Sequence, residues 1–227
     1  MSRLNAHTAS HGALGRTVAV CVLLLLLALW SAFRLTHGFQ VWTEEDARRL
    51  EVALQPRSAP EIQVQGPGLA DTELPALLAS HGGATIVDFI YTQCQTVCLS
   101  LGTVFQQIQT ELQAEGAAGV HLLSISFDGP HDDIQALAKY GRRFAADRAH
   151  WNLVRVPDAA QEQQLLRRLG VVVVPDGRGD FEHNAALLVF DGQAQLRRIF
   201  DMEERELALN YARHLARQPA TLAGAAS

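Results

Sequence analysis

The sequence predicts an α/β fold in which a central mixed sheet is flanked by helices and preceded by a hydrophobic N-terminal helix. Apolar runs rich in β-branched residues alternate with segments whose apolar residues recur every three or four positions. Strands that alternate with helices imply parallel pairing. Late in the chain, Asp191-Gly192 lies between two apolar runs and indicates a β-hairpin, which adds antiparallel strands.

The N-terminal segment is predicted to be a membrane anchor over residues 17–34. It is uncharged from Thr17 to Phe33, at the short end of the length that spans a bilayer. A cleaved signal peptide is the alternative, but aromatic residues stand where a small-residue cleavage site would lie. Because basic residues precede the run and acidic residues follow it, the positive-inside rule predicts that residues 1–16 are cytoplasmic and that the rest of the chain is exported.

Residues 35–60 are predicted to form a juxtamembrane helix and a linker. Thr43 followed by Asp46 resembles a capping box for a helix, and prolines bound the linker that comes after it. The folded domain is predicted over residues 61–217, and residues 218–227 are expected to be a flexible tail.

The domain is expected to begin with a short strand and a short helix. Residues 62–64 indicate the strand, and Asp71 or Thr72 is expected to cap a helix that ends near Leu78. The apolar run at 85–91 is then predicted to be a largely buried strand, the first central strand of the sheet.

Two cysteines lie where this central strand passes into the next helix. Cys94 and Cys98 are four residues apart, and apolar residues at helical spacing follow them. Unpaired backbone N–H groups and the helix dipole favour a thiolate at a helix start. In a helix the two sulfurs would be one turn apart, which suits either a disulfide or chelation of one soft metal ion. The residues alone leave both alternatives open.

The second half of the chain predicts further strands and helices around the hairpin. Asp132 or Asp133 is expected to cap the helix after an acidic loop. Residues 171–174 are expected to be extended, residues 176–180 are predicted as a polar loop, and no strand is assigned to residues 181–184. The remaining predicted elements are strands at 120–127, 151–156, 186–190 and 195–200 and helices ending at 144, 169 and 215. A βαβ unit followed by a hairpin and a terminal helix describes a thioredoxin-type sheet.

Composition limits the function classes. Of 227 residues, 48% are hydrophobic and the net charge is −5, and no stripe of lysine and arginine appears, so no nucleic-acid partner is expected. One of the three cysteines, Cys21, lies in the apolar N-terminal run. The single remaining pair is too few for a disulfide scaffold and favours a chemical role. A thiol peroxidase is disfavoured because the local motif has no arginine.

Two side chains of the central strand are expected near the cysteines. Asp88 interrupts the apolar run, so it is either an edge charge or a buried carboxylate. A buried carboxylate there could relay protons to the thiols. Tyr91 is expected to pack in the core and to form a wall of the site.

Three motifs, in this order, resemble the Sco/SenC family. They are FIYTxCxxxC ending at Cys98, SISFDxxxD ending at Asp132, and the lone His183 just before the hairpin. The resemblance covers roughly residues 61–215, and the N-terminal anchor fits it too. Members of this family are membrane-anchored thioredoxin-fold proteins implicated in copper delivery during assembly of cytochrome c oxidase.

The resemblance implies a copper site and its surroundings. Cys94, Cys98 and His183 would be the ligands of Cu(I) or Cu(II), and Asp128 with Asp132 would match the family's acidic loop. The implied partner is the cytochrome c oxidase subunit that bears the binuclear copper site. The implied location is the inner or cytoplasmic membrane, with a single span and with the soluble domain in the periplasm of a bacterium or the intermembrane space of a mitochondrion.

The chain departs from the family pattern at three positions. Many members have proline after each cysteine, where this chain has Gln95 and Leu99. The residue before the histidine is commonly aspartate, and here it is Glu182. Without the prolines the loop loses a backbone restraint and regains N–H donors, which could retune the thiolate pKa or the metal affinity.

Two functions stay in competition at this point. A copper chaperone would bind the ion at the trio and pass it to an acceptor. A thiol–disulfide reductase would use Cys94 as the nucleophile and Cys98 as the resolving thiol, to keep the acceptor's metal-binding cysteines reduced. Whether the chain is an enzyme therefore stays open, with a metallochaperone as the first expectation and oxidoreductase activity as the second.

Overall fold

The computed structural model describes residues 6–36, 38, 43–94, 97–116, 119–129, 131–177 and 181–218, without the side chains of residues 6–13 and 97–99. The chain divides into two compact units, Met1–Leu50 and Glu51–Ser227. The predicted tail lies outside the described residues from position 219 onward.

The first unit contains a long apolar helix, α1 (Ala6–Leu35). Its stretch Leu14–Leu35 is long and apolar enough to cross a membrane, and none of it is buried within the protein. Helix α2 (Glu44–Leu54) begins in this unit and ends in the second. The predicted capping box is confirmed, because the N–H of Asp46 donates to Thr43 Oγ1 and the N–H of Thr43 donates to the Asp46 carboxylate.

The second unit contains a mixed sheet. Its strands are β1 (Arg57–Ser58), β2 (Gln63–Gly66), β3 (Leu69–Glu73), β4 (Ala84–Ile90), β5 (Val120–Ser126), β6 (Trp151–Arg155), β9 (Ala186–Phe190) and β10 (Gln195–Asp201). Within the described residues they lie in the order β1-β10-β9-β4-β5-β6-β2-β3. Strands β4, β5 and β6 are parallel, and the other pairs are antiparallel. Two short strands, β7 (Val173–Pro175) and β8 (Phe181–His183), form a separate antiparallel ribbon.

Helices cover the sheet. They are α3 (Leu74–Ala79), α4 (Val97–Glu115), α5 (Ile134–Arg143), α6 (Ala159–Leu169) and α7 (Arg205–Ala216). Helix α4 packs on the sheet through Phe105, whose ring lies 5.4 Å from that of Trp151 in β6. It approaches the end of α5 closely, because a Cβ at Gly102 would lie 2.5 Å from the Phe144 ring.

The predicted α/β fold with a mixed sheet, an antiparallel hairpin and an apolar N-terminal helix is confirmed. Three local predictions were wrong. The linker at 57–58 is an edge strand paired with β10. Asp71 and Thr72 lie in β3 and cap no helix, because Gly68 at φ +68° turns the chain into a hairpin with β2. Residues 181–183 form β8, which gains its hydrogen bonds from β7.

Candidate metal centre

Cys94 lies in the turn between β4 and α4. Its side chain is 3% exposed, and its N–H donates to the carbonyl oxygen of Tyr91 at 3.3 Å. Cys98 is the second residue of α4, and its side chain lies outside the described residues. The predicted place of the pair at a strand-to-helix junction is confirmed, and the distance between the two sulfurs stays a prediction.

Asp132 fastens the cysteine turn to the end of β5. It is completely buried, and its carboxylate accepts hydrogen bonds from the Thr92 N–H at 2.9 Å, from Thr92 Oγ1 at 2.5 Å and from Ser126 Oγ at 2.5 Å. Burial raises the pKa of Asp132, and the hydroxyls of Ser126 and Thr92 offset part of the rise. Asp132 therefore caps no helix; Asp133 does, by accepting the N–H of Ala136 at 2.8 Å.

The acidic loop that follows β5 contains a second buried carboxylate. Asp128 accepts a hydrogen bond from His131 at 2.8 Å, and this contact raises the pKa of the exposed His131 ring. Glu162 of α6 accepts the N–H of Gly129 at 3.3 Å. Burial raises the pKa of Glu162 to about 7. The two aspartates of the resemblance thus lie in one loop beside the cysteine turn.

His183 lies against an aromatic cluster that surrounds the end of β5. Its ring is 5.0 Å from the ring of Phe127, which in turn lies 5.4 Å from Tyr91 and 5.7 Å from Phe181. The N–H of Phe127 donates to the carbonyl oxygen of Ile90 at 3.0 Å, so this cluster lies at the carboxyl ends of β4 and β5. Burial lowers the pKa of His183. The structure therefore brings the predicted imidazole to the edge of the sheet that carries Cys94.

Asp88 lies in the middle of β4 and is fully buried. Since β4 pairs with β5 on one side and β9 on the other, the edge-charge alternative is wrong. Asp88 is in register with Ser124, whose hydroxyl accepts the indole N–H of Trp151 at 2.9 Å, so the carboxylate is on the face that α4 covers. Burial raises the pKa of Asp88 to about 7, and Ser124 lowers it by a smaller amount.

Tyr91 packs as expected, since it is 2% exposed and contacts Phe127 and Phe181. Among the described side chains, no three of the histidine, cysteine, aspartate and glutamate residues are grouped closely enough to hold a metal ion. Because the Cys98 side chain is not among them, the ligand set of Cys94, Cys98 and His183 stays a prediction.

The sequence interpretation missed two parts of this region. Phe127 lies within the SISFD motif and Phe181 lies two residues before His183, and their rings connect His183 to the rest of the site. Glu162 also escaped notice, because it lies on α6, a separate helix beyond β6, and no local sequence signal links it to the acidic loop.

Comparison with known proteins gives consistent matches. A family model described as SCO1/SenC matches residues 78–217. The SCO1 protein homolog of Bacillus subtilis (strain 168) is 25% identical over 113 residues, which make up 49% of this chain and 58% of that protein. The match therefore spans less than two-thirds of the relative's length.

Solved structures share the fold. A SCO1/SenC family lipoprotein from Bacillus anthracis str. Ames superposes with a TM-score of 0.63 at 20% identity, covering 71% of this chain and 98% of that chain. BsSco, a member of the Sco family of cytochrome c oxidase assembly proteins in which a disulfide switch was identified, gives 0.62 at 16% identity, with 71% and 95% covered. Bradyrhizobium japonicum ScoI with copper bound gives 0.58 at 20% identity, with 70% and 99% covered.

Proposed function

The chain belongs to the SCO1/SenC family, and on that premise we propose that it is a membrane-anchored copper chaperone for cytochrome c oxidase. Cys94, Cys98 and His183 bind the copper ion as cargo. The acceptor is the oxidase subunit that bears the binuclear copper site.

The position of His183 against Phe127, at the sheet edge that carries Cys94, supports this proposal most directly. Two thiolates and an imidazole suit Cu(I), because soft ligands select this ion. Burial lowers the pKa of His183, so its ring keeps the neutral form that binds metals. Relatives of the same fold, such as Bradyrhizobium japonicum ScoI, have been crystallised with copper.

Copper stoichiometry of the reduced protein tests the ligand set. Cys94→Ser, Cys98→Ser and His183→Ala are each expected to lower the bound copper, and the cysteine variants to lose near-ultraviolet thiolate-to-copper absorption. Cys21→Ser and His131→Ala are the controls, since they remove a cysteine of α1 and an exposed histidine. Unchanged stoichiometry in all three ligand variants would refute the assignment.

The N-terminal helix anchors the protein in the inner or cytoplasmic membrane, with residues 1–16 in the cytoplasm and the folded domain exported. The length and apolar character of Leu14–Leu35 support this, as do the basic residues that precede the span. In a bacterium, protease added to spheroplasts is expected to digest the domain; a domain that is cut only after lysis would contradict the topology.

A thiol–disulfide reductase is the second candidate, and the buried Asp88 favours it. The Cys94 thiolate would attack an acceptor disulfide to form a mixed disulfide, and Cys98 would then displace the second acceptor thiol. The two electrons pass from the cysteine pair, which becomes a disulfide, to the acceptor, which becomes a dithiol. In this role Asp88, whose pKa burial raises to about 7, would be the group that accepts the proton of the resolving thiol.

Reductase activity in metal-free protein distinguishes the two candidates. If the reductase role operates, Asp88→Asn is expected to slow reduction of an acceptor disulfide about tenfold and to flatten the pH dependence near pH 7. The same variant should keep its copper stoichiometry. Absence of reductase activity in metal-free wild-type protein would exclude the reductase role and leave the chaperone role as the remaining candidate.

A further inference from the structure

A groove of about 870 Å³ lies beside the cysteine turn. Thr92 and Gln93, the two residues before Cys94, form one wall, and a face of α5 forms the other. The residues that line the groove from α5 and the acidic loop are Ala136, Lys139, Tyr140, Arg143 and His131.

The groove is cationic although the protein is acidic overall. Its described lining residues include no aspartate or glutamate, in a chain with 24 acidic and 19 basic residues. Lys139 and Arg143 are exposed, and no carboxylate in the described part of the chain is within salt-bridge distance of either. By contrast, Arg213 of α7 is paired with Glu115 at 2.7 Å. The two groove cations therefore remain available to an anion from outside.

The spacing of these cations fits an extended ligand. Lys139 and Arg143 are one helical turn apart on one face of α5, and the lining residues of that helix, 136 to 143, extend over about 10 Å. Pockets for whole organic ligands measure about 300–1,000 Å³, so a single inorganic anion would leave most of this groove empty. A peptide that carries several carboxylates would fill it and would place its neighbouring residues at Gln93.

We propose that this groove binds an acidic segment of the acceptor protein, with carboxylates at Lys139 and Arg143 and with the acceptor's cysteines brought to the Cys94 turn. The inference rests on the proposed function, because it gives the groove a partner that must reach Cys94. It adds the charge that the partner carries and the surface that recognises it. His131 lines the groove as well, but it is paired with Asp128 and contributes less free charge.

Peptide binding to the full chain, metal-free, reduced and in a neutral detergent, tests the groove. The probe is a fluorescein-labelled peptide of alternating glutamate and serine. The control peptide carries the same label and has glutamine in place of each glutamate. Fluorescence anisotropy is expected to show about tenfold tighter binding of the glutamate peptide, with the difference shrinking as salt is added. Lys139→Glu/Arg143→Glu should abolish that preference.

The matched control is Arg167→Glu/Arg168→Glu, which changes the net charge equally at exposed positions of α6 outside the groove. It is expected to bind the glutamate peptide within about twofold of wild type. Equal losses in both double variants would overturn the proposal, because they would show a response to net charge alone. Displacement of the peptide by free glutamate or inorganic phosphate at equal anion concentration would also overturn it, in favour of a small-anion site.

The outcome is separable from that of the chaperone proposal. Cys94→Ser is expected to lose copper and to keep peptide binding, whereas Lys139→Glu/Arg143→Glu should keep copper and lose the peptide. Failure of wild-type protein to prefer the glutamate peptide would overturn the groove assignment alone. Failure of the wild-type protein to bind copper would overturn the chaperone proposal and would leave the peptide-binding result standing.

Discussion

The middle of β4 and the turn at its carboxyl end depend on two completely buried aspartates, which have opposite surroundings. Asp132, which holds the turn, accepts three hydrogen bonds from Thr92 and Ser126. For Asp88, within the strand, the Ser124 hydroxyl lowers the pKa by less than burial raises it, and neither carboxylate oxygen has a partner with full hydrogen-bond geometry among the described residues. Burial raises the pKa of both. The difference teaches that burial alone does not assign a role: the donors around Asp132 give it a structural one, and their lack leaves Asp88 able to exchange a proton near neutral pH.

The largest expected effect comes from removing the acceptor that holds the turn. Asp132→Ala leaves the buried Ser126 hydroxyl and the two partly buried donors of Thr92 without their acceptor. A lost partner costs about 1–3 kcal/mol for a buried donor, so we expect the free energy of unfolding to fall by about 4 kcal/mol. The neighbouring Asp133→Ala removes only a helix cap and should cost about 1 kcal/mol. Denaturant unfolding of both variants measures the difference, and equal losses would contradict the role given to Asp132.

A smaller effect is expected from Asp88→Asn, and it should depend on pH. The pKa of Asp88 is raised from 3.8 to about 7, so the folded state holds this proton more tightly than the unfolded state. The stabilisation of the folded state by this bound proton is therefore fully present below about pH 4 and is lost as the pH rises to about 7. This rise in pKa corresponds to at most about 4 kcal/mol of stability. After structural relaxation, we expect the free energy of unfolding of the variant to exceed that of wild type by about 3 kcal/mol at about pH 8.

The control for this pH dependence is Glu162→Gln. Burial raises the pKa of Glu162 to about 7 as well, so the wild-type curve contains both groups. Measured across this pH range, the free energy of unfolding should fall less steeply with rising pH in each variant than in wild type. If Asp88→Asn gained no stability relative to wild type as the pH rises, Asp88 would have an ordinary pKa and would not exchange a proton near neutral pH.

The smallest expected effect is that of Thr92→Val. The substitution keeps the shape of the side chain and the backbone donor, and it removes only the hydroxyl that donates to Asp132. One hydrogen bond is worth about 1 kcal/mol net. Thr92→Ser, which keeps the hydroxyl, should have a free energy of unfolding close to that of wild type when both are unfolded with denaturant. A larger loss in the serine variant than in the valine variant would contradict this reading of the contact.

Periodic segments of the fold could be predicted from the sequence because their signals are local. Helix α6 is an example: Asp158 accepts the N–H of Gln161 at its start, and Gly170 at φ +69° ends it. Strand β8 could not be predicted, since its three residues show no alternation and exist as a strand only through pairing with β7.

The candidate site was predictable to a similar extent. The junction that holds Cys94 follows from local pattern, and so does the acidic loop. The role of Asp132 does not, because capping a helix and fastening a turn use the same acceptor chemistry, and only the fold shows that Asp133 does the capping. The environment of Asp88 depends on β9, a strand almost 100 residues further along the chain.

The ribbon that carries His183 has a mechanical consequence. Within the described residues β8 pairs only with β7, and the Asn184 side chain ties its base to Gly170 and Val172. The ribbon packs on the end of the sheet through Phe181 and His183, whose rings contact Phe127. Among the described residues it shares no strand pairing with the eight-stranded sheet. His183 therefore belongs to a separate small ribbon and Cys94 to the end of β4, so their separation can change without breaking a hydrogen bond of the eight-stranded sheet.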